Sequence, residues 1–148
     1  MQGIKLQEQS AYEFHYELQL QVGHINYGGR LGHDSVVRIV HEARVHLFHA
    51  LGVAENNLGD NRTGIIMGDL AYLYCGEGHL FDRLRVDSHM GEVGRSALRM
   101  FHRLMRDDTL VALVETGLMA YDYTRRTIVP FPETFKRALT HSTCEAGY

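Results

Sequence analysis

The sequence is poor in cysteine and has neither a long apolar run nor a block of charge of one sign. Its two cysteines, Cys75 and Cys144, are too few for a disulfide framework in a chain of 148 residues and favour a reducing compartment. No apolar run approaches the roughly 20 residues that cross a bilayer, and the N-terminus lacks the basic and apolar regions of a signal peptide. We therefore expect a soluble, cytoplasmic protein in which Cys75 is a buried thiol.

Proline is also scarce, and the charge is nearly balanced. The chain has two prolines and a formal net charge of −3, spread without long runs of either sign. This balance gives no indication of a nucleic-acid or anionic-membrane partner. With 45% hydrophobic residues the chain can bury one ordinary core. We expect a single domain over residues 1–140 and a disordered tail over residues 141–148.

Hydrophobic periodicity predicts one strand followed by one long helix. Residues 12–22 alternate apolar and polar side chains, as a half-buried strand does. Residues 35–51 carry apolar residues at helical spacing. Asp34 or Ser35 is placed to cap this helix, and Gly52 is placed to end it.

The remainder of the chain predicts four more strands and a closing helix. The strands are expected at residues 63–75, 80–88, 96–106 and 110–123, and the helix near residues 132–140. The 96–106 segment would also form a helical face, but its short connections favour a strand. The last strand is the most apolar and should be buried on both faces. One helix wrapped by one antiparallel sheet would bury both elements.

A glycine-rich loop, residues 23–34, leads directly into the long helix. The first turn of a helix has unpaired N–H groups and carries the positive end of the helix dipole. Such an end favours negative charge, either a phosphate or the oxyanion that develops when a thioester or ester carbonyl is attacked. The loop is therefore the leading candidate for a binding site.

The order of elements, this loop and the helix sequence Glu42-Ala43-Arg44 together resemble the hotdog fold, and in particular the 4-hydroxybenzoyl-CoA thioesterase-like family. In that family the loop reads like D-x-x-G-H-V-N-N and the helix carries E-A-R. Aligning E-A-R sets Asn26 on the aspartate, Gly29 on the glycine, Arg30 on the histidine, Leu31 on the valine, and Gly32 and His33 on the two asparagines. The usual aspartate is thus replaced by Asn26.

The resemblance implies an α+β hotdog fold, with a long central helix wrapped by one antiparallel sheet of about five strands. It also implies hydrolysis of an acyl-CoA thioester to a carboxylic acid and coenzyme A without a cofactor. The unit would be a homodimer or homotetramer with active sites at the interface. Backbone N–H groups near His33 and Asp34 would hold the oxyanion, with close approach of the substrate allowed by Gly28, Gly29 and Gly32.

Several side chains are candidates for activating water. They are Asn26, His33, Asp34, Glu42 and Asp69. Asn26 can orient a water molecule, but an amide is not a base near neutral pH. Each of the others has an ordinary alternative role.

For Asp34 that role is the helix N-cap, and for Glu42 it is pairing with Arg38 or Arg44. Asp69 is placed either to reach the partner's helix N-terminus or to make a structural hydrogen bond at the strand start. His33 is either a general base or an exposed loop histidine.

Basic residues at the mouth of the site are candidates for binding the coenzyme A phosphates. They are Arg30, Arg95 and the pair Arg125 and Arg126. Tyr27 is expected near the entrance of the acyl pocket. A metal site is not expected, because His41 and His46 are five residues apart, whereas a zinc-binding HExxH helix needs four.

Two other functions remain open. A non-catalytic acyl-thioester-binding or assembly protein could keep the fold after losing the aspartate. A hotdog dehydratase is disfavoured, because no convincing His and Glu dyad is found. The expected partner in the leading hypothesis is acyl-CoA.

Overall fold

The computed structural model describes the backbone of residues 3–145 and the side chains of residues 3–141. One long helix and one antiparallel sheet form the body of the protein. The elements are β1 Phe14–Gln19, α1 His33–Ala50, β2 Thr63–Tyr74, β3 Arg83–Val93, β4 Ala97–Arg106, β5 Thr109–Asp122, β6 Thr127–Ile128 and α2 Glu133–Glu145. A single 3-10 turn, Val22–His24, precedes the glycine loop.

The sheet has six strands and wraps around α1. Its order is β1-β3-β4-β5-β2, and the two-residue β6 pairs with β5. All pairings are antiparallel. The long strand β2 therefore forms one edge and β1 the other. The prediction of one helix against one antiparallel sheet is confirmed.

The alternation of apolar and polar side chains along a strand decides which face of the sheet packs against α1. In β4, Leu98, Met100 and Leu104 are buried in the core with α1 residues such as Val40 and Leu47, whereas Arg99 and Arg103 lie on the opposite face. The predicted strand at residues 96–106 is thus confirmed. It is a strand because it pairs along its length with both β3 and β5.

The predicted burial of β5 on both faces is also confirmed. Four successive residues, Val111, Ala112, Leu113 and Val114, are all at most 6% exposed. Because neighbouring side chains of a strand point to opposite faces, such a run requires cover on both sides of the sheet. On the face opposite α1, part of this cover comes from the N-terminal segment, since Lys5 and Leu6 line a cavity with Leu113.

The prediction that Cys75 is buried is wrong. Its side chain is exposed, because β2 ends at Tyr74 on the sheet edge and Cys75 begins the following turn. Its position near the sheet still desolvates the thiol, and this, with a smaller effect of Glu8, raises its pKa.

Several element boundaries also differ from the predictions. Strand β1 covers Phe14–Gln19 rather than residues 12–22, β3 covers Arg83–Val93 rather than residues 80–88, and α2 continues past Thr140 to Glu145. Helix α2 therefore enters the segment predicted to be a disordered tail, while residues 146–148 of that segment lie outside the described residues. Within the described part of the chain, neither helix has the length and apolar character needed to cross a membrane.

Candidate active site at the N-terminus of α1

Helix α1 begins without a side-chain cap. Gly32 is the N-cap, and its carbonyl accepts the first helical hydrogen bond from Val36 N–H at 3.0 Å. The prediction of Asp34 or Ser35 as the cap is wrong, because both lie inside the first turn. Among the described residues no acceptor is found for the N–H groups of His33, Asp34 and Ser35. The positive end of the helix is therefore open to a negatively charged group.

The loop before the helix is a compact turn built on Asn26. Its backbone N–H donates to Arg30 O at 2.8 Å, and Arg30 N–H donates to the side-chain oxygen of Asn26 at 3.1 Å. Gly29 N–H donates to Asn26 O at 3.0 Å, and Gly29 has a φ of 81°, which favours glycine. Asn26 thus holds the shape of the loop in addition to any chemical role.

The peptide unit between Leu31 and Gly32 is fixed on both sides. The phenol of Tyr74 donates to Leu31 O at 3.1 Å, and Gly32 N–H donates to His24 O at 3.1 Å. One residue earlier, Leu31 N–H donates to Gly78 O at 2.7 Å. These bonds tie the entry into α1 to the end of β2 and to the turn after it.

A cavity of about 420 Å³ and one of about 330 Å³ lie at different places on the protomer, and only the smaller one is at the helix N-terminus. The smaller cavity is lined by Asn26, Arg30, Leu31, His33, Tyr74, Gly76 and Glu77. It brings together three of the predicted site residues, Asn26, Arg30 and His33. We take it as the candidate site because His33, the first residue of α1, lines it.

Tyr74 and Glu77 are site residues that sequence reasoning missed. They lie at least 40 positions after the end of the glycine loop, and their proximity to it depends on how β2 ends beside α1. The turn residues on either side of residues 63–75 predict a strand, but they do not predict where the strand ends relative to the helix. No local pattern in the sequence marks either residue.

The rim of the cavity carries paired charges. Arg30 Nη1 lies 2.8 Å from Glu77 Oε1, and this hydrogen bond, with the positive charge of Arg30, lowers the pKa of Glu77. Arg106 Nη1 donates to Glu77 O at 2.9 Å, which brings a second guanidinium to the same rim. Two arginines are thus close to the site, and an incoming phosphate would compete with Glu77 for Arg30.

Asp69 and Glu42 do not reach this cavity within one protomer. Asp69 lies on β2 opposite Gly117, with its carboxylate 2.9 Å from Arg99 Nη1, beside the larger cavity. The strand register places Asp69 and Arg99 on the face of the sheet away from α1. Glu42 is 3.2 Å from His46, one turn further along α1. The predicted pairing of Glu42 with Arg38 or Arg44 is wrong, because Arg44 points into the core and binds Glu55.

The other predicted binding residues are divided between the two ends of the sheet. Tyr27, Gly28 and Gly29 lie in the loop at the site, and all three are exposed. Arg95 lies between β3 and β4, and Arg125 and Arg126 follow β5. These three arginines are at the opposite end of the sheet from α1's N-terminus, so they do not line the cavity of their own protomer.

A long helix wrapped by one antiparallel sheet, with an open helix N-terminus behind a glycine loop, is the hotdog arrangement. A family model described as the thioesterase-like superfamily matches residues 20–139. The chain belongs to this superfamily, and thioester hydrolysis is the general chemistry that this membership supports. A search among curated proteins found no match.

Solved structures confirm the hotdog fold. A 1,4-dihydroxy-2-naphthoyl-CoA thioesterase from Synechocystis superposes with a TM-score of 0.77 at 16% identity, covering 86% of this chain and 95% of that chain. A hypothetical protein from Staphylococcus aureus in complex with CoA gives a TM-score of 0.79 at 18% identity, with 87% and 82% covered. A DHNA-CoA thioesterase from Staphylococcus aureus gives 0.79 at 12% identity, with 88% and 91% covered.

Proposed function

We propose that this protein hydrolyses acyl-CoA thioesters to a carboxylic acid and coenzyme A, with the open N-terminus of α1 as the oxyanion hole. The observation that carries the proposal is the set of free N–H groups at His33 and Asp34, beside a cavity of about 330 Å³. When water attacks the thioester carbon, negative charge develops on the carbonyl oxygen. Fixed N–H donors and the helix dipole stabilise that charge most strongly in the transition state.

Water activation is assigned to residues close to those amides. Asn26 has no basic group near neutral pH, and its side-chain oxygen already accepts the Arg30 N–H, so it orients water rather than deprotonating it. His33 lines the cavity, and Asp34 lies in the first turn of the helix. Either His33 or Asp34 therefore takes the proton, unless Asp69 of a second protomer does so.

A homodimer, or a tetramer built from it, is the proposed working unit. Strand β2 is 12 residues long and forms an edge, and Met67 in its middle is 40% exposed. Antiparallel pairing of two β2 strands about a two-fold axis would cover the β2 edge of each protomer. It would also bring the end of the partner's sheet, with the partner's Arg125, beside this protomer's cavity and supply cations for the coenzyme A phosphates.

The direct test is thiol release by the purified protein from short, medium, long and aromatic acyl-CoAs. We expect saturable turnover on at least one class, and a loss of about tenfold or more in one of Asn26→Ala, His33→Ala, Asp34→Ala and Asp69→Ala. Glu17→Gln, which changes an exposed charge on β1, is the matched control. Binding of acyl-CoA without thiol release by the wild-type protein would instead identify a non-catalytic acyl-thioester-binding protein.

Asn26→Asp tests whether the amide belongs to a working site. An aspartate can accept the Arg30 N–H as Asn26 does, so the loop should keep its shape. The new charge would oppose the developing oxyanion, and we expect kcat to fall about tenfold. Steady-state kinetics with the best substrate measures this. A rise in kcat would contradict the prediction and show that the wild-type site lacks an activating carboxylate.

Gly32→Ala tests the need for space at the helix cap. A Cβ at Gly32 would lie 2.7 Å from Asp34 Oδ1 and 3.3 Å from Asn26 Cβ, so both side chains would have to move. The backbone of Gly32 is extended and accepts alanine, so we expect little change in thermal stability but a fall of about tenfold in kcat, because sub-ångström misplacement is costly in catalysis. Gly23→Ala, whose Cβ would meet nothing within 4 Å, is the control. Unchanged kinetics in Gly32→Ala would contradict the proposed placement of Asn26 and Asp34.

A further inference from the structure

Tyr74 lies at the end of β2 and lines the candidate cavity, yet it has no role in the chemistry described above. Its phenol donates to Leu31 O at 3.1 Å, one residue before the N-cap of α1. The ring itself is held edge-on against Tyr72, with the ring centroids 5.5 Å apart and an interplanar angle of 86°. Its hydroxyl is therefore presented to the backbone in a defined place.

The carbonyl that Tyr74 binds belongs to a peptide unit whose other polar group is also held. Gly32 N–H, on the same planar unit, donates to His24 O at 3.1 Å. Because a peptide unit is rigid and planar, hydrogen bonds at its two opposite sides fix its orientation. Gly32 N–H is thereby used structurally, which leaves His33 and Asp34 as the next amides that can bind a substrate oxygen.

We infer that Tyr74 is a positioning residue of the oxyanion hole: it sets the orientation of the Leu31–Gly32 peptide and, through it, the direction of the His33 and Asp34 N–H groups. The inference rests on the proposed function for its catalytic consequence, but its structural part does not. The phenol is protonated near neutral pH and can donate, and partial burial, together with the nearby Tyr72 and Asp34, raises its pKa further.

Loss of this bond should affect the transition state more than substrate binding. Leu31 stays anchored by its buried side chain, which is 4% exposed, and by its N–H bond to Gly78 O at 2.7 Å. The loop therefore remains in place when the phenol is removed, while the Leu31–Gly32 peptide keeps only the bond from Gly32 N–H to His24 O. An interaction that matters mainly for the developing oxyanion appears in kcat rather than in KM.

The test is Tyr74→Phe, with Tyr72→Phe as the matched control, because Tyr72 is the neighbouring ring and makes no bond to the loop among the described contacts. Two quantities are measured: the amide NMR shifts and exchange rates of His33 and Asp34, and kcat and KM on the best acyl-CoA. In Tyr74→Phe we expect both amides to change and kcat to fall about tenfold with KM unchanged, a smaller loss than removal of a direct oxyanion donor gives. Tyr72→Phe should change neither.

The combined results separate the two ideas. Altered amides in a protein that hydrolyses no acyl-CoA would support the positioning of the helix N-terminus by Tyr74 and overturn the proposed function. Unaltered amides with a lower kcat would overturn positioning and make Tyr74 a direct contact of the substrate. Unaltered amides with unchanged kinetics would also overturn the inference.

Discussion

Glu55→Ala is expected to destabilise the protein by about 3 kcal/mol, because it leaves a buried guanidinium without its counterion. Arg44 is 5% exposed between α1 and the sheet, and its Nε donates to Glu55. Its Nη1 atom is buried with no hydrogen-bond partner among the described residues, so Arg44 has little to replace the lost carboxylate. The free energy of unfolding, measured by denaturant titration, tests this. A loss of that size corresponds to roughly 10 °C in Tm for a chain of this length.

The matched variant is Arg44→Met, which removes the other half of the pair. Glu55 has 22% of its side chain exposed and also lies 2.9 Å from His41 Nε2, so it can be solvated when Arg44 is absent. Methionine fills the space of the arginine stem, and because Glu55 is not left as an uncompensated buried charge, we expect a loss of about 1 kcal/mol or less. Equal or larger destabilisation by Arg44→Met would contradict the idea that the uncompensated charge dominates.

The sequence predicts the position of α1 in the fold, but it does not predict that Arg44 is buried. The E-A-R segment correctly aligned α1 with the hotdog family, because helical periodicity and order of elements are local properties. It did not reveal that Arg44 faces the core. The burial of Arg44 depends on which stripe of α1 packs against the sheet, and the apolar residues Val36, Val40, Ala43 and Leu47 only approximate that stripe. Arg44 ties α1 to Glu55, the start of the loop that leads into β2.

The site was predictable only in its contiguous part. Asn26, Arg30 and His33 lie within eight residues of one another, and the glycines between them indicate a loop at a helix start. Tyr74 and Glu77 enter the cavity through the end of β2, which is set by long-range strand pairing. Asp69 was expected either at the helix N-terminus of a partner subunit or in a structural hydrogen bond, and within one protomer its carboxylate lies 2.9 Å from Arg99 Nη1. Its place in the chemistry stays a prediction.

The cap of α1 shows the limit of residue preferences. Asp34 and Ser35 are good N-cap residues by type, yet the helix starts at His33 with Gly32 as the cap. The entry is instead fixed by bonds from Leu31 and Gly32 to Gly78 and His24. Because of these tertiary contacts, α1 starts closer to the glycine loop than the residue preferences of Asp34 and Ser35 predict. This shift leaves the first-turn amides without a side-chain acceptor, which is the feature on which the proposed function depends.

Asp87→Asn is expected to destabilise the protein by roughly 2 kcal/mol at pH 7, with the difference disappearing at low pH. The Asp87 carboxylate is fully buried on the face of the sheet away from α1. Arg85 Nε, Arg103 Nε and His15 Nδ1 lie 2.7, 2.7 and 2.6 Å from it. Burial opposes ionisation, but the hydrogen bonds from these three residues outweigh it and lower the pKa of Asp87 from 3.8 to about 2.

The sign of the pH effect follows from that lowered pKa. The carboxylate contributes its full stabilisation above the unfolded value near 4, and loses it as the pH falls through about 2. Unfolding free energies of wild type and Asp87→Asn should therefore differ at pH 7 and converge between pH 4 and pH 2, where wild-type Asp87 becomes protonated. Asp108→Asn, which removes the same charge from an exposed turn, should follow wild type across this range. A difference between wild type and Asp87→Asn that persists unchanged at pH 2 would mean that lost packing, rather than the ionised carboxylate, accounts for the effect.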